Sequence, residues 1–341
     1  MRRTPKPPAR RPASLGFGLV EMMVALALGL LVVGGAMVMF MATRQANGST
    51  DNLSRVAESV RTSYDLLTRE LREAGGTPCD AQLLAGNVLN AAQGLTPSWW
   101  ATWGEPVRGY NGSTAFDGVA FGSAVAERVS GTEAIAVRYG AAMDGVNIAT
   151  HVTGTQTFTT TINNHGIAVG DLLLVCNYRQ AAIFQATAAN IANGTFVHAT
   201  GGGTSSNCST GLGLPTVCAP GSSVYQFLAG AMVGRFTVAG WYIGNNGRSS
   251  SGGRSLYRVT RLGTEEVADG VRDLQMVYLV SGASDYVAAS DVTDWTTVTA
   301  LRLDITYEGP DVNVATNGSG TNAGRLTRNV GYTINLRNQQ P

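Results

Sequence analysis

The stretch that most constrains this chain of 341 residues is an uncharged apolar run of 21 residues from Met22 to Ala42. As a helix rising about 1.5 Å per residue, it matches the roughly 30 Å of a bilayer core. Arg2, Arg3, Lys6, Arg10 and Arg11 precede it, with no acid among residues 1–16. That charge bias is expected to keep the N-terminal side cytoplasmic while the rest crosses. An ordinary secretory signal has a shorter apolar stretch, about 7–15 residues, with a small-residue cleavage site after it. Here Met41 is followed by Ala42-Thr43-Arg44-Gln45 and no Ala-x-Ala, so the run is expected to remain attached as an anchor. Glu21 stands at its head. A carboxylate there is costly unless it lies at headgroup level or meets a positive group, such as a free amine on a neighbouring chain.

The residues Gly16-Phe17-Gly18-Leu19-Val20-Glu21-Met22-Met23-Val24-Ala25-Leu26 closely resemble the class III signal of type IV prepilins and pseudopilins. The resemblance implies a prepilin peptidase cut between Gly16 and Phe17, N-methylation of Phe17 as the first mature residue, and an assembly role for Glu21.

Helical periodicity continues beyond the apolar run. Leu53, Ala57, Val60, Tyr64, Leu67, Leu71 and Ala74 recur at spacings of four and three and form one apolar seam. Charged residues, Glu70 among them, are expected on the other faces. Gly75-Gly76 before Pro78 reads as the stop. A helix from Phe17 to Ala74 would be about 87 Å long at the same rise, with Gly34-Gly35 as its weakest point. The seam has two readings, a face laid on a globular head or a short coiled coil. The division that follows is a leader at 1–16, a membrane and pilus-core helix at 17–43, an amphipathic half at 44–76 and a β-rich head at 77–341.

In the head, short apolar runs alternate with Gly, Asn, Ser and Thr. Strands are expected at Glu133–Tyr139, Asp171–Tyr178, Ala181–Ala186, Arg235–Ile243, Ser255–Leu262, Val271–Val280, Thr296–Tyr307 and Leu326–Leu336. Stretches 200–223, 244–254 and 315–324 read as surface loops. Only 14% of the chain is charged and 43 residues are Gly, which suits a turn-rich β protein and argues against a disordered chain. The fold class expected is α+β, a long N-terminal helix on an antiparallel sheet.

The order Gly170-Asp171-Leu172-Leu173-Leu174-Val175-Cys176, Ala182-Ile183-Phe184-Gln185, Trp241-Tyr242-Ile243, Ser255-Leu256-Tyr257-Arg258 and Asp269-Gly270-Val271-Arg272-Asp273-Leu274-Gln275 resembles the PilW family of minor pilins. So do Asp294-Trp295 with Ala300-Leu301-Arg302, the closing Asn335-Leu336-Arg337-Asn338, and the helix end Glu70-Leu71-Arg72-Glu73-Ala74-Gly75-Gly76. Residues 80–130 match nothing in that pattern. The resemblance implies a type IV pilin-like fold and a role in starting pilus assembly within a minor-pilin complex, with a place at the pilus tip left open. Its partners would be other minor pilins, the major pilin, prepilin peptidase, the inner membrane and the assembly platform, with a tip adhesin as a further candidate. The J-class pseudopilin of type II secretion is the nearest rival.

Cys79, Cys176, Cys208 and Cys218 all follow the membrane run, on the oxidising side, and four cysteines allow three pairings. Pairing Cys208 with Cys218 closes a short loop and leaves Cys79 for Cys176. A zinc site is the competing reading, but no Cys-x-x-Cys exists. Lys6 is the only lysine, which removes P-loop, Schiff-base and kinase-type lysine chemistry from the rest of the chain. His151, His165 and His198 fall in Thr/Gly/Asn-rich stretches and read as solvated loop residues. Asp285, Asp291 and Asp294 could gather oxygens around calcium, or simply solvate a loop. Trp99, Trp100 and Trp103 near Arg108 could stack on nucleic acid. Beyond residue 16, however, 23 acidic residues outnumber 19 basic ones, so a core or protein interface is the preferred reading. No enzyme activity, cofactor, metal or nucleic-acid partner is expected. A membrane-tethered adhesin or DNA-uptake module is the contrasting functional class.

Overall fold

The computed structural model describes residues 18–79, 83–94, 97–201, 206–218, 222–249, 252–312, 314 and 324–339. The chain divides into two compact units, residues 1–51 and 52–341. One long helix, α1 (Leu19–Glu73), contributes to both. In the first unit its apolar side chains, from Leu19 to Met41, are exposed on every face. The helix runs unbroken through Gly34 and Gly35.

The second unit is β-rich. Its strands are β1 (Ala85–Asn87), β2 (Val107–Tyr110), β3 (Ala134–Val152), β4 (Thr157–Thr160), β5 (Leu172–Cys176), β6 (Ala181–Gln185) and β7 (Ala188–Asn190). They continue with β8 (Thr195–Val197), β9 (Met232–Asn245), β10 (Arg254–Thr260), β11 (Gly263–Asp269), β12 (Val271–Val280), β13 (Val298–Glu308) and β14 (Thr327–Asn335). Eleven strands share one sheet, in the order β1-β6-β5-β9-β3-β4-β8-β7, with β10 attached at β9, β11 at β10 and β2 at β3; β12-β13-β14 form a second sheet. Every pairing is antiparallel except β1 with β6.

Two long strands organise the large sheet. One edge of β9 carries β3, and the other carries β5 along Met232–Arg235 and then β10 along Ala239–Asn245. β5 is apolar at every position because both of its faces are covered. Leu173 and Val175 enter one core cluster, while Leu172, Leu174 and Cys176 enter another. β13 shows the opposite pattern, with Leu301, Leu303 and Ile305 buried and Arg302 and Asp304 exposed, as a sheet with one wet face requires.

From Asn52 onward α1 lies against this core. Val56, Leu67, Leu71 and Ala74 join Ile135, Val137, Trp241, Leu256, Leu303 and Ile305 in one cluster, so the head-packing reading of the seam holds. Its register needs correction at the first turns: Leu53 and Ala57 are exposed, and Asn52 and Val56 are buried instead. Asn52 is accommodated because its amide donates to Asp311 Oδ2 at 2.7 Å and accepts from Asp311 N at 3.1 Å. The helix stops where Gly75 takes φ +71°. A Cβ there would run into Gln339 and Pro106, and the Gly75 N–H donates to Arg138 O at 2.8 Å.

All eight expected strands exist, with shifted ends: the Glu133–Tyr139 strand extends to Val152, and the Thr296–Tyr307 strand begins after a 3-10 turn at Trp295–Thr297. β1, β2, β4, β7, β8 and β11 lie outside the expected set. The first five are three or four residues long, too short to show a period. The supposed surface loop at 200–223 is partly core. Ser206, Asn207, Ser209 and Leu212 are buried, and Asn207 replaces a strand partner by bonding Gln185 N at 2.7 Å and Gln185 O at 2.9 Å. Most of 315–324 lies outside the described residues.

Candidate functional site

The N-terminal half of α1 is the first candidate. Glu21 occupies its first turn, where the Glu21 and Met22 amides donate to Gly18 O at 3.0 and 3.1 Å. Among the described residues, no side chain bonds the Glu21 carboxylate. An acid at a helix N-terminus is favoured by the helix dipole. Here it also heads the one helix, among the described residues, that is long and apolar enough to cross a membrane. Gly16 and Phe17, the expected cleavage and methylation residues, lie outside the described residues.

The second candidate joins the helix to the sheet within the second unit. Glu70 is only 8% exposed, which corrects its expected place on an outer face. Its carboxylate accepts hydrogen bonds from Tyr139 Oη at 2.9 Å, Trp241 Nε1 at 2.7 Å, Arg258 Nε at 2.9 Å and Arg258 Nη2 at 2.6 Å. Three strands, β3, β9 and β10, each send one side chain to a single acid on α1, four hydrogen bonds in all. Burial, and then the Glu70 charge, hold the Tyr139 phenol well above its ordinary value, so it stays a donor at any physiological pH. The sequence signal was present but weak: Glu70 lies three residues after Leu67 and four before Ala74, on the same face as the seam. Arg258 also bonds Glu265 at 2.8 Å.

Both disulfides are formed. Cys79–Cys176 joins positions 97 residues apart with Cα atoms 6.0 Å apart, and Cys208–Cys218 joins positions 10 apart at 5.0 Å. Closing a loop of about 100 residues removes unfolded-state entropy worth roughly 4–5 kcal/mol in the chain-entropy account.

The histidines are not solvated loop residues. His151, His165 and His198 are all buried. His151 stacks on Phe158 at 3.9 Å, and its Nε2 lies 3.0 Å from His198 Nε2. The Phe227 amide donates to His151 Nδ1 at 3.2 Å, which assigns the His151 proton to Nε2 and makes His198 Nε2 the acceptor. Burial lowers His151 to about 4. Burial, and then the neighbouring His151, lower His198 to about 3.

The remaining sequence candidates are dispersed. Trp99 packs edge-on to Phe116, Trp103 packs edge-on to Phe236, and Trp100 lies under the Arg261 guanidinium. Arg108 pairs with Glu105 at 3.0 Å. These rings are partly buried against one core cluster, not set out as a stacking platform. Residues 110–132 are held by the fully buried Arg128, whose guanidinium donates to the carbonyls of Tyr110, Asn111, Thr114 and Thr132. Asp294 caps the turn at Thr296, Asp285 bonds Ser284 and Asp291 bonds Ser290, so the three carboxylates work separately. Among the described residues, no group of three or more His, Cys, Asp or Glu side chains is placed to hold a metal ion.

The family model of the prokaryotic N-terminal methylation motif matches residues 11–37. That span contains the prepilin-like residues, the first turn with Glu21 and most of the apolar run. The match supports a type IV pilin-like protein. Such a protein is served by peptidase processing and by pilus-system partners in general, and both pilins and pseudopilins fit it. No curated protein and no solved structure matches the chain.

Two outcomes are expected. Glu70→Ala leaves the Tyr139 and Trp241 donors unpaired and Arg258 with Glu265 alone, so it should lower unfolding free energy by about 3–5 kcal/mol, read by denaturant titration of the detergent-solubilised chain. The histidine pair sets an acid limit. Both folded values lie below the unfolded value of about 6.5, so the unfolded chain binds more protons. The pair's contribution is complete above about 6.5 and is lost as pH falls through about 4 and about 3. Amide exchange around β4 and β8 should therefore accelerate in that window, and His151→Phe with His198→Leu should flatten the dependence.

Proposed function

We infer that the chain is a minor pilin of the PilW type, acting with other minor pilins to start assembly of a type IV pilus. The observation that carries the reading is the methylation motif at residues 11–37, heading an apolar helix that ends on a β-rich head. The order of head motifs quoted from the sequence supports PilW over other pilin-like proteins. The role is structural, not enzymatic.

In this reading prepilin peptidase cuts between Gly16 and Phe17, and Phe17 is methylated. Before assembly the chain is a single-pass protein of the inner membrane with a periplasmic head. On assembly its apolar helix exchanges lipid for a bundle of like helices at the assembly platform. The exchange is feasible because the exposed side chains from Leu19 to Met41 meet an apolar surrounding in either state and never face water. Glu21 selects register, since an unpaired carboxylate in that bundle is strongly disfavoured until it meets the amine of a neighbouring N-terminus. Specificity for partners resides in the head. A place at the pilus tip and contact with a tip adhesin follow from the same reading. The motif serves a J-class pseudopilin of type II secretion equally well, and the two are separated by phenotype.

Glu21→Ala should be processed normally but assemble poorly, whereas Gly16→Ala should leave a precursor of unchanged gel mobility. Normal surface piliation with Glu21→Ala would sink the pairing account. Deleting the gene should sharply reduce the number of surface pili while secretion persists. Lost secretion with full piliation would assign the pseudopilin role, and neither loss, with ligand binding by the chain, would assign a tethered adhesin or DNA-uptake module.

A further inference from the structure

The three-stranded sheet ends at β14, whose outer edge no other described strand covers. β14 pairs with β13 over its whole length, from Thr327 opposite Glu308 to Asn335 opposite Ala300. The Leu336 amide donates to Thr299 O at 2.9 Å, and the Gly309 amide donates to Leu326 O at 2.7 Å. Hydrogen-bonded pairs alternate along an antiparallel ladder. Arg328, Val330, Tyr332 and Ile334 therefore turn their backbone groups toward β13, and Asn329, Gly331, Thr333 and Asn335 turn theirs outward. Among the described residues nothing bonds those outward groups, and all four residues are exposed.

Other free edges are short or guarded. β1 and β7 have three residues each. β11 carries Glu265 and Glu266, tied to Arg258 and Arg248. The outer edge of β12 is covered where Glu133 N donates to Leu274 O at 3.1 Å, and where Tyr278 and Val287 exchange backbone bonds at 2.8 and 2.9 Å. β14, at nine residues, has no Pro, no Lys and no bulge, the devices that normally blunt an edge.

We propose that this edge pairs with β14 of a second copy of the chain, antiparallel about a two-fold axis at Gly331. The sequence Thr327-Arg328-Asn329-Val330-Gly331-Tyr332-Thr333-Ile334-Asn335 is self-complementary in that register. Asn329 meets Thr333 of the second copy, and Val330 meets Tyr332. The only charge, Arg328, falls opposite Ile334 and not opposite itself, so no like charges face each other. The outward groups of one strand meet those of the other, and the interface is isologous. A single ladder buries less than a standard interface of about 1,600 Å². The pairing is therefore weak in dilute solution and is favoured where both chains are held in one membrane.

The test is disulfide crosslinking of the full chain in its own membranes. Asn329→Cys combined with Thr333→Cys puts the new thiols opposite each other across the axis, with Cα atoms about 5.5 Å apart. Either substitution alone leaves the two copies' thiols four residues apart, about 14 Å at roughly 3.4 Å per residue. The native cysteines are paired in disulfides. The double variant should give a dimer under mild oxidation, and neither single variant should. No dimer from the double variant, equal dimer from a single one, or a crosslink to a protein of different mass would each overturn the proposal. Its failure leaves the minor-pilin reading intact, because piliation is scored separately.

Discussion

A single carboxylate accounts for how the sheet holds the helix residues from Asn52 onward. Glu70 receives bonds from Tyr139, Trp241 and Arg258, on strands that meet side by side in the large sheet. Apolar packing of Val56, Leu67, Leu71 and Ala74 is non-directional and would tolerate sliding or rotation of the helix. A buried acid bonded by three dedicated side chains does not, since any other position strands a charge in a low-dielectric interior. Packing supplies most of the attraction, and Glu70 supplies the register.

The same division explains what was legible in the sequence. Features with a long period were readable, among them the apolar run from Met22, the four-and-three spacing ending at Ala74, and the alternation of Leu301, Leu303 and Ile305. Position within that period was readable only where residue chemistry agreed with burial. Leu53 and Ala57 look like seam residues, yet Asn52 lies inside because a specific partner, Asp311, satisfies its amide. Glu70 looks like a surface charge for the same reason, its partners being 69, 171 and 188 residues away.

The histidines and Arg128 extend that lesson. Polar residues in Gly- and Thr-rich sequence read as loop, and the local reading is sound as far as it goes. Long-range geometry overrides it: His151 and His198 are 47 residues apart and satisfy one another across a stack of aromatic rings. Arg128 similarly substitutes for secondary structure by gathering four carbonyls from residues 110–132. One guanidinium satisfies four carbonyls of a segment with little regular structure, beside backbone bonds such as Arg128 N to Ala120 O and Gly131 N to Gly112 O.

The bridge between Cys79 and Cys176 has a mechanical side. It joins the chain just beyond the helix to the central strand β5 by a covalent route, bypassing the 96 residues between them. Tension entering from the helix end therefore has two routes into the sheet, through this bond into β5 and through the Glu70 hydrogen bonds into β3, β9 and β10. A chain stapled this way spreads a pull on its stem over several neighbouring strands instead of peeling one of them away.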